Sequence, residues 1–199
     1  MSLLEFVRDK TRDNFYKKLS DIGLECELAE RGIVEEKLFN PWHRNSLGII
    51  KINSDFPIKY INIIKKWGGK NDPPRWWHYF AVPTQASISK EDQIDINSIR
   101  LKSFPIFGKV KSIDWKFNSN GENLAEKFTK DSEINALTTE LGDIRVQSLQ
   151  ENFSGYSIEL EFKRSAFNLF SAANISMNIR QWNTLNKIAK LCIENGKEA

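Results

Sequence analysis

The stretch "RWWHYFAV" (75–82), which follows the double proline of "DPP" (72–74), decides how the fold is read. Aromatic and β-branched residues favour strands, and the prolines mark the end of a preceding loop. In a strand, successive side chains point to opposite faces. Trp76, His78, Phe80 and Val82 therefore share one face, and Arg75, Trp77, Tyr79 and Ala81 share the other. The first set reads as a core face, with His78 a neutral ring with a hydrogen-bond partner between two large aromatics. The second reads as a flat aromatic ledge with a cationic edge, open to a ligand unless another part of the chain covers it.

The neighbouring segments extend the sheet upstream. In "IKYINIIKKW" (58–67) both parities carry isoleucines, the pattern of a strand buried on two faces at the centre of a sheet. "LGIIKI" (47–52) reads as another strand. Leu24, Cys26 and Leu28 alternate with Glu25 and Glu27, as in a half-buried strand. "ERG" (30–32) reads as a turn, and Ile33–Leu38 as a returning strand. Residues 3–22 read as a helix with Leu4, Val7, Phe15, Leu19 and Ile22 on its apolar face and Gly23 as its C-terminal cap.

Downstream, the polar segment 84–98 is the best candidate boundary between two lobes. "IRLKSF" (99–104) and "GKVKSIDWKF" (108–117) read as strands. Val110, Ile113 and Trp115 do not keep one parity, so a β-bulge is expected. Residues 118–142 hold one or two helices, with Asp131 a cap and Gly142 a terminator. "DIRVQSL" (143–149) and "GYSIELEF" (155–162) follow as strands. In the second, Glu159 and Glu161 lie opposite the apolar parity and are expected in water. The last helix covers about residues 178–194, with Asn178 and Gln181 at capping-box spacing.

The sum is an α+β protein: a largely antiparallel twisted sheet with about three helices packed on it. The second half reads strand, strand, helix, strand, strand, helix. Residues 1–199 are read as a single unit, since the chain is near the upper end of one ordinary domain. No repeat of 20–50 residues is found.

Composition narrows the function. With 40% hydrophobic and 12% aromatic residues the chain has ample material for a core, and disorder as a whole-chain state is not expected. No apolar run approaches the roughly 20 residues of a membrane span, and "MSLLEFVRDK" (1–10) is too charged for a secretory signal. A cytoplasmic, soluble protein with no membrane partner is expected. Cys26 and Cys192 form neither a disulfide framework nor a zinc site. "NFS" (152–154) and "NIS" (174–176) match the glycosylation pattern by chance in a chain without a secretion signal.

No phosphate-binding glycine loop, dinucleotide fingerprint, metalloprotease motif or nucleophile elbow occurs. No cofactor, metal or catalytic residue is assigned, and the balance leans away from an enzyme. The net charge of +3 is mild but uneven. Residues 21–37 carry six acids against Arg31 and Lys37; residues 59–75 carry five bases against Asp72. The two segments can attract each other within the chain or between chains.

The candidate ligand-binding residues are therefore Arg75, Trp77 and Tyr79 on the ledge, with Lys65 and Lys66 just before it. Trp42 and His43 of the loop "NPWHRN" (40–45) form a second, smaller candidate. The first reading is a non-enzymatic binding or scaffold protein recognising a protein partner or itself through the aromatic face. The second is single-stranded nucleic-acid binding, by bases stacking on the ledge and phosphates on Lys65 and Lys66. The third is an enzyme using His43 or His78 as acid or base.

Overall fold

The computed structural model describes residues 9–39, 45–66, 74–85, 88–103, 109–149, 154–162 and 177–198. Among the described residues eight strands make one antiparallel sheet: β1 (Cys26–Leu28), β2 (Ser46–Ile52), β3 (Tyr60–Lys66), β4 (Arg75–Pro83), β5 (Asp95–Lys102), β6 (Val110–Phe117), β7 (Ile144–Ser148) and β8 (Gly155–Phe162). Their order across the sheet is β1-β2-β3-β4-β8-β7-β5-β6. β5 begins inside the segment 84–98, at Asp95, and the strands before and after the connection belong to one continuous sheet, because β8 returns to pair with β4.

Four α-helices occur among the described residues: α1 (Thr11–Asp21), α2 (Glu122–Lys130), α3 (Ser132–Leu141) and α4 (Ile179–Glu198). All four pack on the same face. Phe15 and Leu19 of α1, Leu124 and Phe128 of α2, Ile134 and Leu137 of α3, and Trp182 and Leu185 of α4 join one core. The strand residues in that core are of one parity, including Ile61 and Ile63 on β3 and Trp76, Phe80 and Val82 on β4. Ile64 and Tyr79, of the other parity, belong to a smaller apolar cluster on the sheet's outer face.

Local signals act where the chemistry requires them. Asp131 caps α3 by accepting from the N–H groups of Glu133 and Ile134. Asn178 and Gln181 form the reciprocal box at the start of α4. The bulge lies on β6. Leu101 faces Ser112 and Lys102 faces Val110, which leaves Lys111 as the extra residue.

Two expectations need correction. Of the helix expected over 3–22, residues 3–8 lie outside the described ones, Asp9 and Lys10 are not helical, and the helix runs from Thr11 to Asp21. Asp9 starts it, accepting from the backbone N–H and hydroxyl of Thr11. The returning strand expected at Ile33–Leu38 is instead a 3-10 segment, Val34–Phe39. Gly32, at φ 85°, donates its N–H to Glu36 Oε1, and this closes the chain into a tight turn before a strand can extend. The segment then lies against β2, β3 and β4.

Candidate functional site

The register assembles the site. Asn97, Arg145, Glu159, Tyr79 and Asn62 stand in one row across β5, β7, β8, β4 and β3, all on the outer face. Gln147 and Ser157 flank the row on one side; Trp77 and Glu161 flank it on the other, with Arg75 and Lys66 beyond them. A mainly polar band therefore crosses the face opposite the helices.

The two aromatics of the ledge meet different fates. Tyr79 is 1% exposed, whereas Trp77 is only half-buried. The 3-10 segment is part of the cover, since the Glu36 carbonyl accepts from Nδ2 of the fully buried Asn62 beside Tyr79. Ser46 holds the other end of that amide, its hydroxyl 2.7 Å from Asn62 Oδ1. The rings of Trp77 and Tyr79 are tilted by 31° with centroids 6.5 Å apart. They form a step rather than a flat platform.

The lysines separate by parity. Lys66 lies on the outer face, its Nζ 4.4 Å from the centre of the Trp77 ring and 5.9 Å from that of Tyr79. Burial holds its ammonium below the usual lysine pKa; Glu159 and Glu161 oppose that shift and Arg145 adds to it. Lys65 projects to the helical face, where Nζ sits 2.9 Å from Asp9 Oδ2. Trp76 donates its indole N–H to the same oxygen at 3.1 Å. Burial opposes the charge on Asp9, but the hydrogen bonds from Thr11 and Lys65 outweigh it and hold the carboxyl below its ordinary range. Arg75 reaches across the end of β4 to Glu161, with Nη1 3.1 Å from Oε1.

Glu159 was expected in water and is only 3% exposed. The alternation of β8 was read correctly, but the outer face at its centre is not open to solvent. Gln147 Nε2 and Ser157 Oγ both donate to Glu159 Oε1, the serine at 3.2 Å. Arg145 Nη1 is 4.0 Å from Oε2, and its guanidinium is committed to a bidentate pair with Asp95 at 2.8 and 2.7 Å. Burial pushes the Glu159 carboxyl up to about 7, against the pull of Arg145 and the serine hydrogen bond.

Sequence reasoning missed Arg145, Gln147, Asp95 and the burial of Glu159. A signal was available: the outward parities of β7 and β8 are polar along their whole length, and they had to sit beside the aromatic parity of β4 once β8 paired with it.

His78 is fully buried, its ring edge-on to Phe15 at 5.1 Å, and burial pushes its pKa down to about 3. A neutral ring in this place is a core residue. Trp42 and His43 lie outside the described residues. Among the described residues no group of three or more His, Cys, Asp or Glu side chains is placed to hold a metal. No described helix is long and apolar enough to cross a membrane.

A pocket of about 250 Å³ opens where α3 meets β7 and β8, lined by Arg100, Glu140, Leu141, Gly142, Asp143 and Glu161. Its charges are already matched: Arg100 pairs with Asp143, Arg180 and Gln181 with Glu140, and Arg75 with Glu161.

Comparison of the chain with protein-family models, with curated proteins and with solved structures finds no match in any of the three. What fold and site define is a class: an α+β protein with four described helices on one face of an antiparallel sheet and a charged aromatic band on the other.

Proposed function

We propose that the protein is a non-enzymatic binding protein that recognises a protein partner, or a second copy of itself, through the end of the outer face where Lys66, Arg75 and Trp77 lie. The observation that carries this reading is the contrast along β4. Tyr79 is covered within the chain, while Trp77 stays partly exposed beneath an ammonium group. A large ring with an apolar body and a charged rim is the kind of anchor that dominates interfaces. A photo-crosslinking phenylalanine analogue at position 77 tests it. The expected result is an adduct with a partner chain or with a second copy, and Trp77→Ala weakens the same complex. A sharp monomer in light scattering with no adduct from the cell of origin overturns it.

The partly exposed ring also supports the second reading, single-stranded nucleic-acid binding. Two features weigh against it. Tyr79 offers no stacking face, and Lys65 is turned to the other side of the sheet. Salt-sensitive binding of an oligothymidylate, lost in Trp77→Ala, would favour it over the first.

A further inference from the structure

We propose that Lys66 anchors a carboxylate from an acidic segment of the partner, and that the neighbouring Glu159 makes this binding proton-linked. The inference rests on the binding face proposed above and adds the chemistry of what that face accepts.

Lys66 is half-buried against two rings, yet among the described residues it makes no ion pair and no hydrogen bond. The two carboxylates that act on its charge are committed elsewhere. Glu161 holds Arg75, and Glu159 is held by Gln147 and Ser157 with Arg145 behind it. Among the described residues the ammonium is therefore buried against two rings with no salt-bridging carboxylate, and burial lowers its pKa although Glu159 and Glu161 oppose the shift. An incoming carboxylate would supply the missing partner, and the face of Trp77 would take the apolar part of the same segment.

An acidic peptide fits better than a nucleic acid. Among the described residues the patch offers one cation without an ion pair and one partly exposed ring, whereas polyanion tracks use rows of cations and several stacking faces. The groups around Glu159 are Lys66 from β3, Tyr79 from β4, Arg145 from β7, Asp95 from β5, and Glu161 on its own strand. When Glu159 is neutral, the cluster holds one negative charge fewer and an entering carboxylate is favoured. When Glu159 is ionised, it attracts Lys66 itself and repels the newcomer. Binding is thus stronger below the Glu159 pKa of about 7 than above it.

The probe is an acetylated hexaglutamate peptide added to the full chain, read at the Trp77 indole resonance in a nitrogen–proton spectrum. Its side chains stay ionised over the range used, pH 6 to 8. Expected are saturable shifts at Trp77, affinity about tenfold higher at pH 6 than at pH 8, and loss of that difference in Glu159→Gln. Lys66→Gln should weaken binding at least tenfold while circular dichroism shows the fold retained. Unchanged affinity in Lys66→Gln, equal affinity at the two pH values, or stronger binding of an oligothymidylate at the same residue overturns the proposal. If the position-77 adduct still forms while Lys66→Gln changes nothing, the carboxylate anchor fails and the binding face stands. If both fail, both readings fall.

Discussion

Replacing Glu159 by glutamine isolates a term in the protein's stability that is set by one buried carboxyl. In the unfolded chain this group titrates near its ordinary value of 4.5; in the folded chain burial raises it to about 7. A raised folded pKa on an acid means that stability is fully present below the unfolded value and is lost as pH rises through the folded value. Each unit of difference corresponds to about 1.4 kcal/mol, so the full loss is about 3 kcal/mol, of which about 2.5 falls between pH 5 and pH 8. Urea titrations of both proteins, followed by circular dichroism at pH 5 and pH 8, measure it. At a slope of about 2 kcal/mol per molar urea, the wild-type midpoint should fall relative to that of the variant by about 1.2 M between the two pH values. Whatever Glu159→Gln costs in packing or in contact with Arg145 is common to both pH values and cancels in this difference. Other titrating groups cancel in the same way. Parallel pH profiles for the two proteins would refute the reasoning, because they would mean that the carboxyl is solvated in the folded state.

His78 acts with the opposite sign. Its folded pKa of about 3 lies below the unfolded 6.5, so its stabilisation is present above pH 6.5 and is lost as pH falls. A His78→Leu variant should lose about 3 kcal/mol less than wild type on going from pH 6.5 to pH 4, measured by the same titrations. Asp9→Ala removes the partner of Lys65 and Trp76 and the group that starts α1. Thermal unfolding should show a loss of about 1–3 kcal/mol. Gly155 has φ 131°, and a methyl group there would collide with the Val82 carbonyl. Gly155→Ala should therefore cost more than about 2 kcal/mol, seen as a lower urea midpoint, because the β4–β8 pairing has to open to accept it.

Legibility in the sequence followed the physics of periodicity. Strand parity separated Trp76, His78 and Phe80 from Arg75, Trp77 and Tyr79, because alternation is a property of the backbone and needs no partner. The two-sided isoleucines of β3 marked a strand buried on both faces, and Ile61 and Ile64 are indeed buried on opposite sides. The caps at Asp131 and Asn178 were legible for the same reason, being contacts within one turn. What parity does not carry is the identity of the neighbouring strand. The return of β8 to pair with β4 joins residues about eighty positions apart, and nothing local in either segment specifies it.

That long-range pairing explains why the site looked different in the sequence. Read alone, β8 has an apolar side and a charged side, and charge on one side of a strand normally means water. Placed between β4 and β7, the charged side of β8 is flanked by Tyr79 on one hand and by Arg145 on the other. Glu159 is then enclosed, while Glu161, two residues on and nearer the end of the strand, remains one-fifth exposed and pairs with the half-exposed Arg75. The same parity thus yields a proton-binding carboxyl at the centre of the sheet and an ordinary ion pair at its end. The ledge is divided along the same line. Tyr79 shares the enclosed row with Glu159, and the partly exposed Trp77 pairs with the one-fifth-exposed Glu161 on one side and with the fully buried Ile64 on the other. Burial of the central row is also what raises the Glu159 carboxyl to about 7. A partner seated on Trp77 and Lys66 would sit at the boundary between the two rows, where adding one proton to Glu159 changes the charge it meets.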